Sequence, residues 1–345
     1  MRIFIHEYVS GGGLSGKPLP KGMAREGLLM LRAILEDFQA SNEHEIRATS
    51  DSRLRTSVPS NVPVTSIDRD RYDEILVASL DWAEAVLLIA PETDGVLERL
   101  STQVEGAGKH LLGSNTKAVA VTADKGITDS RFRAWGFPTP RTHVIRLDAD
   151  AIRQVKAFGY PAVVKPVDGA GCEGISLIRR PAEIAPALRR LQRATRRQTF
   201  LIQEYVPGTP ASLCCLSDGR RVLPLTLNTQ YIRTGSSFSY RGGTVRIDHP
   251  SRSAAFEVAH DLQQAFPGLK GYFGVDLVLT RSGPVFIEVN PRLTMSYIGL
   301  RRAFSVNLAE AIVTSALGEL PSLPEPKGPV RFFVGRGRGA SRVRG

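Results

Sequence analysis

The sequence predicts an α/β unit followed by an α+β region. Three observations carry this. In the first third, short apolar runs alternate with stretches of helical spacing, the pattern of parallel strands joined by covering helices. Beyond about residue 200, strand follows strand. Near the end, two runs flank a turn around Ser282 and place polar groups on one face of a hairpin.

Arg2–Val9 reads as the first strand and Met23–Phe38 as a helix with Leu28, Leu31, Leu35 and Phe38 on one stripe. Glu45–Ala48 and Val62–Ile67 are short strands. Ala83–Ala90 is the most apolar strand, Thr93–Glu105 a helix, and His110–Leu112 closes the unit. Asp124–Trp135 is helical until Gly136-Phe137-Pro138 breaks it. Ala162–Val167 is a strand, Asp168–Gly174 a glycine loop, Ile175–Ile178 a strand, and Ala182–Arg197 a basic amphipathic helix. Strands follow at Phe200–Val206, Ala211–Leu216 and Arg221–Ile232, then a helix at Arg252–Phe266. Tyr272–Thr280 and Pro284–Pro291 form the last hairpin.

A chain of 345 residues exceeds one core and implies two or three subdomains. No apolar run approaches the roughly 18–20 residues of a membrane span, so no membrane partner is expected. Met1–Glu7 turns acidic too soon for a signal peptide. Cys172, Cys214 and Cys215 form no CxxC pair and no metal spacing; a reducing, cytoplasmic location is expected. Of the net charge of +11, six positive charges lie from Lys327 onward, with no acid after Glu325. That RG-rich end is read as a frayed, solvated tail, so nucleic acid is not expected as a partner.

One early stretch matches two phosphate-binding patterns. Gly11, Gly13 and Gly16 satisfy G-x-G-x-x-G; Gly11, Gly16 and Lys17 satisfy all but the last position of the P-loop. Either motif needs a helix opening at the loop, yet Pro18, Pro20 and Gly22 delay the helix to about Met23. No acidic residue ends a second strand about 20 residues on, where a ribose ligand would sit. What survives is a glycine loop at the carboxyl end of the first strand, where open α/β sheets place ligands.

The strongest chemical signal is the last hairpin. A turn centred on Ser282 sets Asp276 opposite Glu288, and Asn290 shares their face two residues on. Two carboxylates and an amide oxygen suit Mg²⁺, which takes one or two carboxylates together with nucleotide phosphates.

These landmarks resemble the ATP-grasp superfamily of carboxylate–amine ligases. The resemblance spans about Lys117 to Leu317, with the first third similar to the Rossmann-like parallel-sheet domain that precedes it in that family. It implies an N-terminal pre-ATP-grasp domain at 1–115, a small lid subdomain at 116–200, a large subdomain with the metal site at 201–326, and a basic segment at 327–345. It implies ATP and Mg²⁺, or Mn²⁺ in its place, as cofactors. Lys125 and Lys165 resemble the two nucleotide-binding lysines. Gly169 and Gly171 lie in what resembles the phosphate-covering loop. Gln203, Glu204 and Val206 belong to a strand resembling the adenine hinge. Asp276, Glu288 and Asn290 resemble the metal ligands. Arg292 resembles the arginine that steadies the transferred phosphoryl group, and it is expected to act in catalysis with Lys165. The family's ribose-binding glutamate has no counterpart in Pro207–Ala211.

Glu7–Gly13 and Asn290–Arg301 resemble the group of ligases in methanofuran biosynthesis that joins the γ-carboxylate of glutamate to tyramine; tyrosine is the other amine considered. The resemblance implies an acyl phosphate, small-molecule amino-acid and amine partners, and allows a homodimer. Candidate substrate residues are Glu7, Ser10, Gly11, Gly12, Arg241, Ser296, Tyr297 and Arg301. No role is assigned to the cysteines. The alternatives are an ATP-grasp ligase of the D-alanine–D-alanine kind, a non-catalytic nucleotide-binding protein, and a dinucleotide-dependent dehydrogenase.

Overall fold

The computed structural model describes residues 1–54 and 61–334. The first unit runs β1 (Arg2–Glu7), α1 (Lys21–Ser41), β2 (Glu45–Asp51), β3 (Val64–Ile67), α2 (Tyr72–Trp82), β4 (Ala85–Ile89), α3 (Val96–Gly106) and β5 (His110–Leu111). Its five strands are parallel, in the order β3-β2-β1-β4-β5. Both faces are covered, as the continuous apolar runs of β1 and β4 demand.

The expected helix over Thr93–Glu105 starts late. Asp94 and Gly95 adopt φ of 55° and 66°, which breaks the turn, and α3 begins at Val96. Helix α2 was not predicted. Only Ile75, Leu76 and Leu80 are buried on it, too narrow a stripe to stand out in the sequence.

Helices α4 (Thr116–Ala123) and α5 (Lys125–Ala134) lead into a four-stranded antiparallel sheet. It is built from β6 (Thr142–Arg146), α6 (Ala151–Phe158), β7 (Ala162–Pro166), β8 (Ser176–Ile178), α7 (Ile184–Ala194) and β9 (Thr199–Glu204), in the strand order β6-β9-β7-β8. The apolar stripe of α7 (Ile184, Ala187, Leu188, Leu191) packs with Val155 and Phe158 of α6 on one face. Strand alternation therefore turns Val163 and Lys165 to the other face.

The third unit is a six-stranded antiparallel sheet, ordered β14-β13-β10-β11-β12-β15. In chain order it contains β10 (Thr209–Ser217), β11 (Val222–Thr234), β12 (Phe238–Val245), α8 (Arg252–His260), α9 (Leu262–Ala265), β13 (Gly271–Thr280), β14 (Gly283–Asn290), α10 (Tyr297–Ala303), α11 (Leu308–Leu317) and β15 (Val330–Phe333). The helix expected over Arg252–Phe266 is interrupted at Asp261. One core joins this unit to the first: Ile3, Ile5, Leu31 and Phe38 cluster with Tyr297, Leu300, Ile312 and Phe332.

The segment from 327 was expected to be solvated throughout. Val330–Phe333 instead forms the edge strand beside β12, with Gly243 opposite Phe332. Val330 and Phe332 point inward while Arg331 and Phe333 face out. The RG-rich stretch 335–345 lies outside the described residues. Among the described residues no helix is long and apolar enough to cross a membrane. Phe332 is 1% exposed, so Phe332→Ala is expected to destabilise the protein by about 3–5 kcal/mol. A denaturation midpoint within error of the parent would mean that β15 does not dock.

Candidate active site

A cavity of about 300 Å³ lies where the three units meet. Strands β7 and β9 form one wall, the six-stranded sheet another, and the ends of β1, β4 and helix α1 a third.

At its centre, Asp276 pairs with Glu288 across β13 and β14. The turn is tighter than a hairpin centred on Ser282, because Thr280 pairs directly with Gly283. A bulge at Ile287 adds one residue and restores the expected pairing. Gln230 Nε2 donates to Asp276 Oδ1 at 2.7 Å and Asn290 Nδ2 to Oδ2 at 3.2 Å. Burial, then the neighbouring Glu288, pushes the Asp276 carboxyl up to about 7. Burial also acts on Glu288, but Lys125 and Lys165 outweigh it and hold that carboxyl below its usual range.

Lys125 reaches this pair from the first turn of α5. Asp124 caps the helix by accepting from Gly126 N (2.9 Å) and Ile127 N (3.0 Å). Lys125 Nζ lies 3.2 Å from Glu288 Oε2 and donates to Gly169 O at 2.8 Å. Lys165 is 3% exposed, and burial lowers its ammonium to about 8. The glycine loop closes over both lysines. It turns through positive φ at Gly171, Cys172 and Gly174, and Gly169 and Gly171 line the cavity. Burial, then Glu288 and Asp276, pushes the Cys172 thiol up to about 12, so it carries no thiolate at neutral pH.

Gln203, Glu204 and Val206 line the far end. Gln203 Nε2 donates to Thr142 Oγ1 at 2.9 Å. Gly208, Pro210 and Ser212 also line the cavity.

Arg292 follows β14 and is engaged by a residue the sequence reading missed. Its Nε and Nη2 each lie 2.9 Å from a carboxylate oxygen of Glu92, just after β4. Both side chains are largely buried. Glu92 stands 200 residues away in sequence, so no local pattern could have paired the two.

The substrate candidates divide. Glu7 and Ser296 line the cavity. Ser10 stands behind that wall and donates to Glu7. Gly11 and Gly12 do not line the cavity; they form the tight turn over Thr49 and Ile67. Arg241 is exposed while its neighbour Tyr240 faces the cavity, one position out of phase on β12. Tyr297 is fully buried and bonds Asp37 of α1. Arg301 pairs with Asp37 (2.6 Å) and Glu36 (2.9 Å). These last two tie α10 to α1 and are outside the cavity. Glu26, Gly27 and Met30 of α1 line it, and no motif marked them.

No group of three or more His, Cys, Asp or Glu side chains gathers as a metal cluster among the described residues. The donor set is two opposed carboxylates and an amide. Burial and then the facing Glu288 raise the Asp276 carboxyl, and hard oxygen donors of this kind fit Mg²⁺.

Known proteins share this architecture. An ATP-grasp domain model matches residues 122–296, and a pre-ATP-grasp domain model matches residues 44–119. The tyramine–L-glutamate ligase of Methanocaldococcus jannaschii is 26% identical over 321 residues, covering 92% of this chain and 90% of that protein. The enzyme of the same name from Methanocaldococcus fervens is 28% identical over 320 residues, covering 92% and 94%. Among solved structures, an ATP-grasp superfamily protein from Archaeoglobus fulgidus superposes with a TM-score of 0.69 at 24% identity, covering 96% of this chain and 92% of that one. An L-amino acid ligase from Bacillus licheniformis superposes at 0.68 and 16% identity, covering 96% and 79%. With the first model alone spanning just over half of its length, the chain belongs to the ATP-grasp family.

Proposed function

We propose that this chain is an ATP- and Mg²⁺-dependent carboxylate–amine ligase that joins the γ-carboxylate of glutamate to the amine of tyramine or tyrosine, in methanofuran-type cofactor biosynthesis. The observation that carries the reading is the pair of buried lysines, Lys125 and Lys165, facing Asp276, Glu288 and Asn290 across one cavity. Relatives that cover nearly the whole chain and are named for this reaction support the substrates.

Asp276, Glu288 and Asn290 would hold Mg²⁺, which supplies charge neutralisation at nucleotide phosphates. Gln203, Glu204 and Val206 would receive the adenine edge. Lys125 and Lys165 bring positive charge to the phosphate oxygens, and the Gly169–Gly171 backbone covers them. The glutamate carboxylate attacks the γ-phosphorus in line; an O–P bond forms, the bond from phosphorus to the β–γ bridging oxygen breaks, and ADP leaves an acyl phosphate behind. Two guanidinium N–H groups of Arg292 remain after its bonds to Glu92 and to Leu293 O, one on each terminal nitrogen. They would hold the transferred group. The amine then attacks the acyl carbon, a C–N bond forms, the C–O bond breaks, and phosphate departs. This is catalysis by positioning and charge.

The direct test supplies purified protein with ATP, Mg²⁺ and glutamate, and adds tyramine, tyrosine or D-alanine in parallel. Phosphate release with a γ-glutamyl-tyramine or γ-glutamyl-tyrosine mass is the expected result. Turnover with D-alanine alone would retain the ligase chemistry and remove the proposed substrates.

Asp276→Asn separates stability from activity. The native carboxyl titrates near 7 against an ordinary 3.8, so the folded state binds this proton more tightly than the unfolded chain. Its contribution to stability is therefore lost as pH rises from about 4 through 7. Without metal at pH 8, Asp276→Asn should melt about 2 °C or more above the parent. Turnover should fall at least about 100-fold. A variant that melts lower contradicts the repulsion inferred at this pair.

Glu92→Gln leaves Arg292 buried without its counter-charge, a loss of about 3–5 kcal/mol in stability. Adding Arg292→Gln should recover part of that loss, because the two effects are coupled. Additive losses in the double variant would show that the ion pair is not formed in solution.

A further inference from the structure

The cavity has a third charged wall that neither nucleotide nor metal accounts for. Glu7, at the end of β1, lines it and is only 3% exposed. Ser10 donates to Glu7 Oε2 from both its backbone N–H and its hydroxyl. Helix α1 passes alongside with a glycine, Gly27, in its interior, where glycine weakens a helix relative to alanine. A Cβ at Gly27 would collide with the Glu7 carboxyl. The helix has thus given up a side chain to make room for a carboxylate.

Glu26, the preceding residue, brings a second carboxylate into the same cavity. Tyr240 and Cys172 line the same cavity. Burial raises the Glu26 carboxyl, and the nearby Arg292 and Arg25 charges partly offset this. Met23, Met30 and Ile89 line the cavity beside these two acids. The cations lining it are Lys125, Lys165 and Arg292. The two lysines stand with Glu288 at the phosphate end, and Arg292 is held by Glu92. The wall therefore carries two carboxyl groups at its head, both raised by burial and that of Glu7 to about 7, and is apolar along its body.

We propose that Glu7 and Glu26 form the seat for the ammonium group of the acceptor amine, with Met23 and Met30 flanking its ring, and that this wall selects an arylalkyl amine lacking an α-carboxylate over the corresponding amino acid. This rests on the ligase reading above. Two carboxylates compensate an ammonium, whereas an α-carboxylate brought against them meets like charge. Glutamate, with two carboxylates of its own, is disfavoured against this wall for the same reason. Methionine thioethers also make favourable contacts with aromatic rings.

The test compares the parent with Glu26→Gln, a partly exposed position where folding is expected to survive. The variant should raise KM for tyramine about 10- to 100-fold, leave KM for ATP and glutamate within about twofold, and reduce the preference for tyramine over tyrosine. Gly27→Ala, which displaces the Glu7 carboxyl, should give the same amine-specific rise. A rise confined to glutamate, or an unchanged tyramine KM, overturns the assignment. Calorimetric titration of the parent with tyramine and with tyrosine tests the seat without turnover. Tighter binding of tyramine that Glu26→Gln abolishes supports it even if no amide is made, an outcome that would count against the ligase reading alone. Equal binding of the two amines by the parent overturns it.

Discussion

A buried charge is tolerated only when it is paired, and the three units of this fold are arranged to meet that condition in one cavity. Lys125 joins the start of α5 to Glu288 on the last hairpin. Arg292, at the end of that hairpin, crosses to Glu92 of the first unit. Asp168, at the root of the glycine loop, accepts from Asp94 N at 3.2 Å and from Thr195 Oγ1 at 2.7 Å. Each pairing ties together elements distant in sequence, and two of them reach the first unit. Losing one partner strands the other in a low-dielectric site, so the cavity's shape and its electrostatics stand or fall together.

Within that frame the Asp276–Glu288 pair is deliberately unequal. Lys125 and Lys165 both act on Glu288, which stays ionised. Asp276 accepts hydrogen bonds from the neutral amides of Gln230 and Asn290, and burial, then Glu288, raises its carboxyl. A divalent cation between the two would relieve a repulsion that the amides leave standing. The site is in this sense unfinished, and the deficit has the sign and the oxygen donors that a hard cation supplies.

How much of this could be read beforehand depends on the range of each signal. Strand alternation exposed the β13–β14 hairpin and put Asp276 against Glu288, although the pairing rests on a bulge that alternation cannot show. Lys125 was legible because Asp124 caps its helix locally. The Val330-Arg331-Phe332-Phe333 alternation was equally visible, but the arginine count behind it drew the eye to a tail. Glu92 and Glu26 were not legible at all, since each acquires its setting from residues far along the chain. Tyr297 and Arg301 were misplaced for the opposite reason. They lie close to Arg292 in sequence, yet α10 begins at Tyr297 and turns both toward α1.

The glycine loop after β1 shows how a motif can point to the right place for the wrong reason. Its resemblance to phosphate-binding loops rests on glycines that let backbone amides face an anion. Here those amides are committed within the turn: Gly11 N donates to Glu7 O at 2.7 Å and Gly13 N to Tyr8 O at 2.8 Å. Gly12, at φ of 95°, sits where any side chain would strike Ile67. The turn winds tightly enough to bring the Ser10 N–H and hydroxyl onto the Glu7 carboxylate. A loop that would cradle a phosphate in another α/β sheet has its own carboxylate as the anion it holds. The carboxyl end of β1 remains the binding edge that an open parallel sheet predicts. The sign of the charge presented there is reversed, which suits it to a cation rather than to a nucleotide.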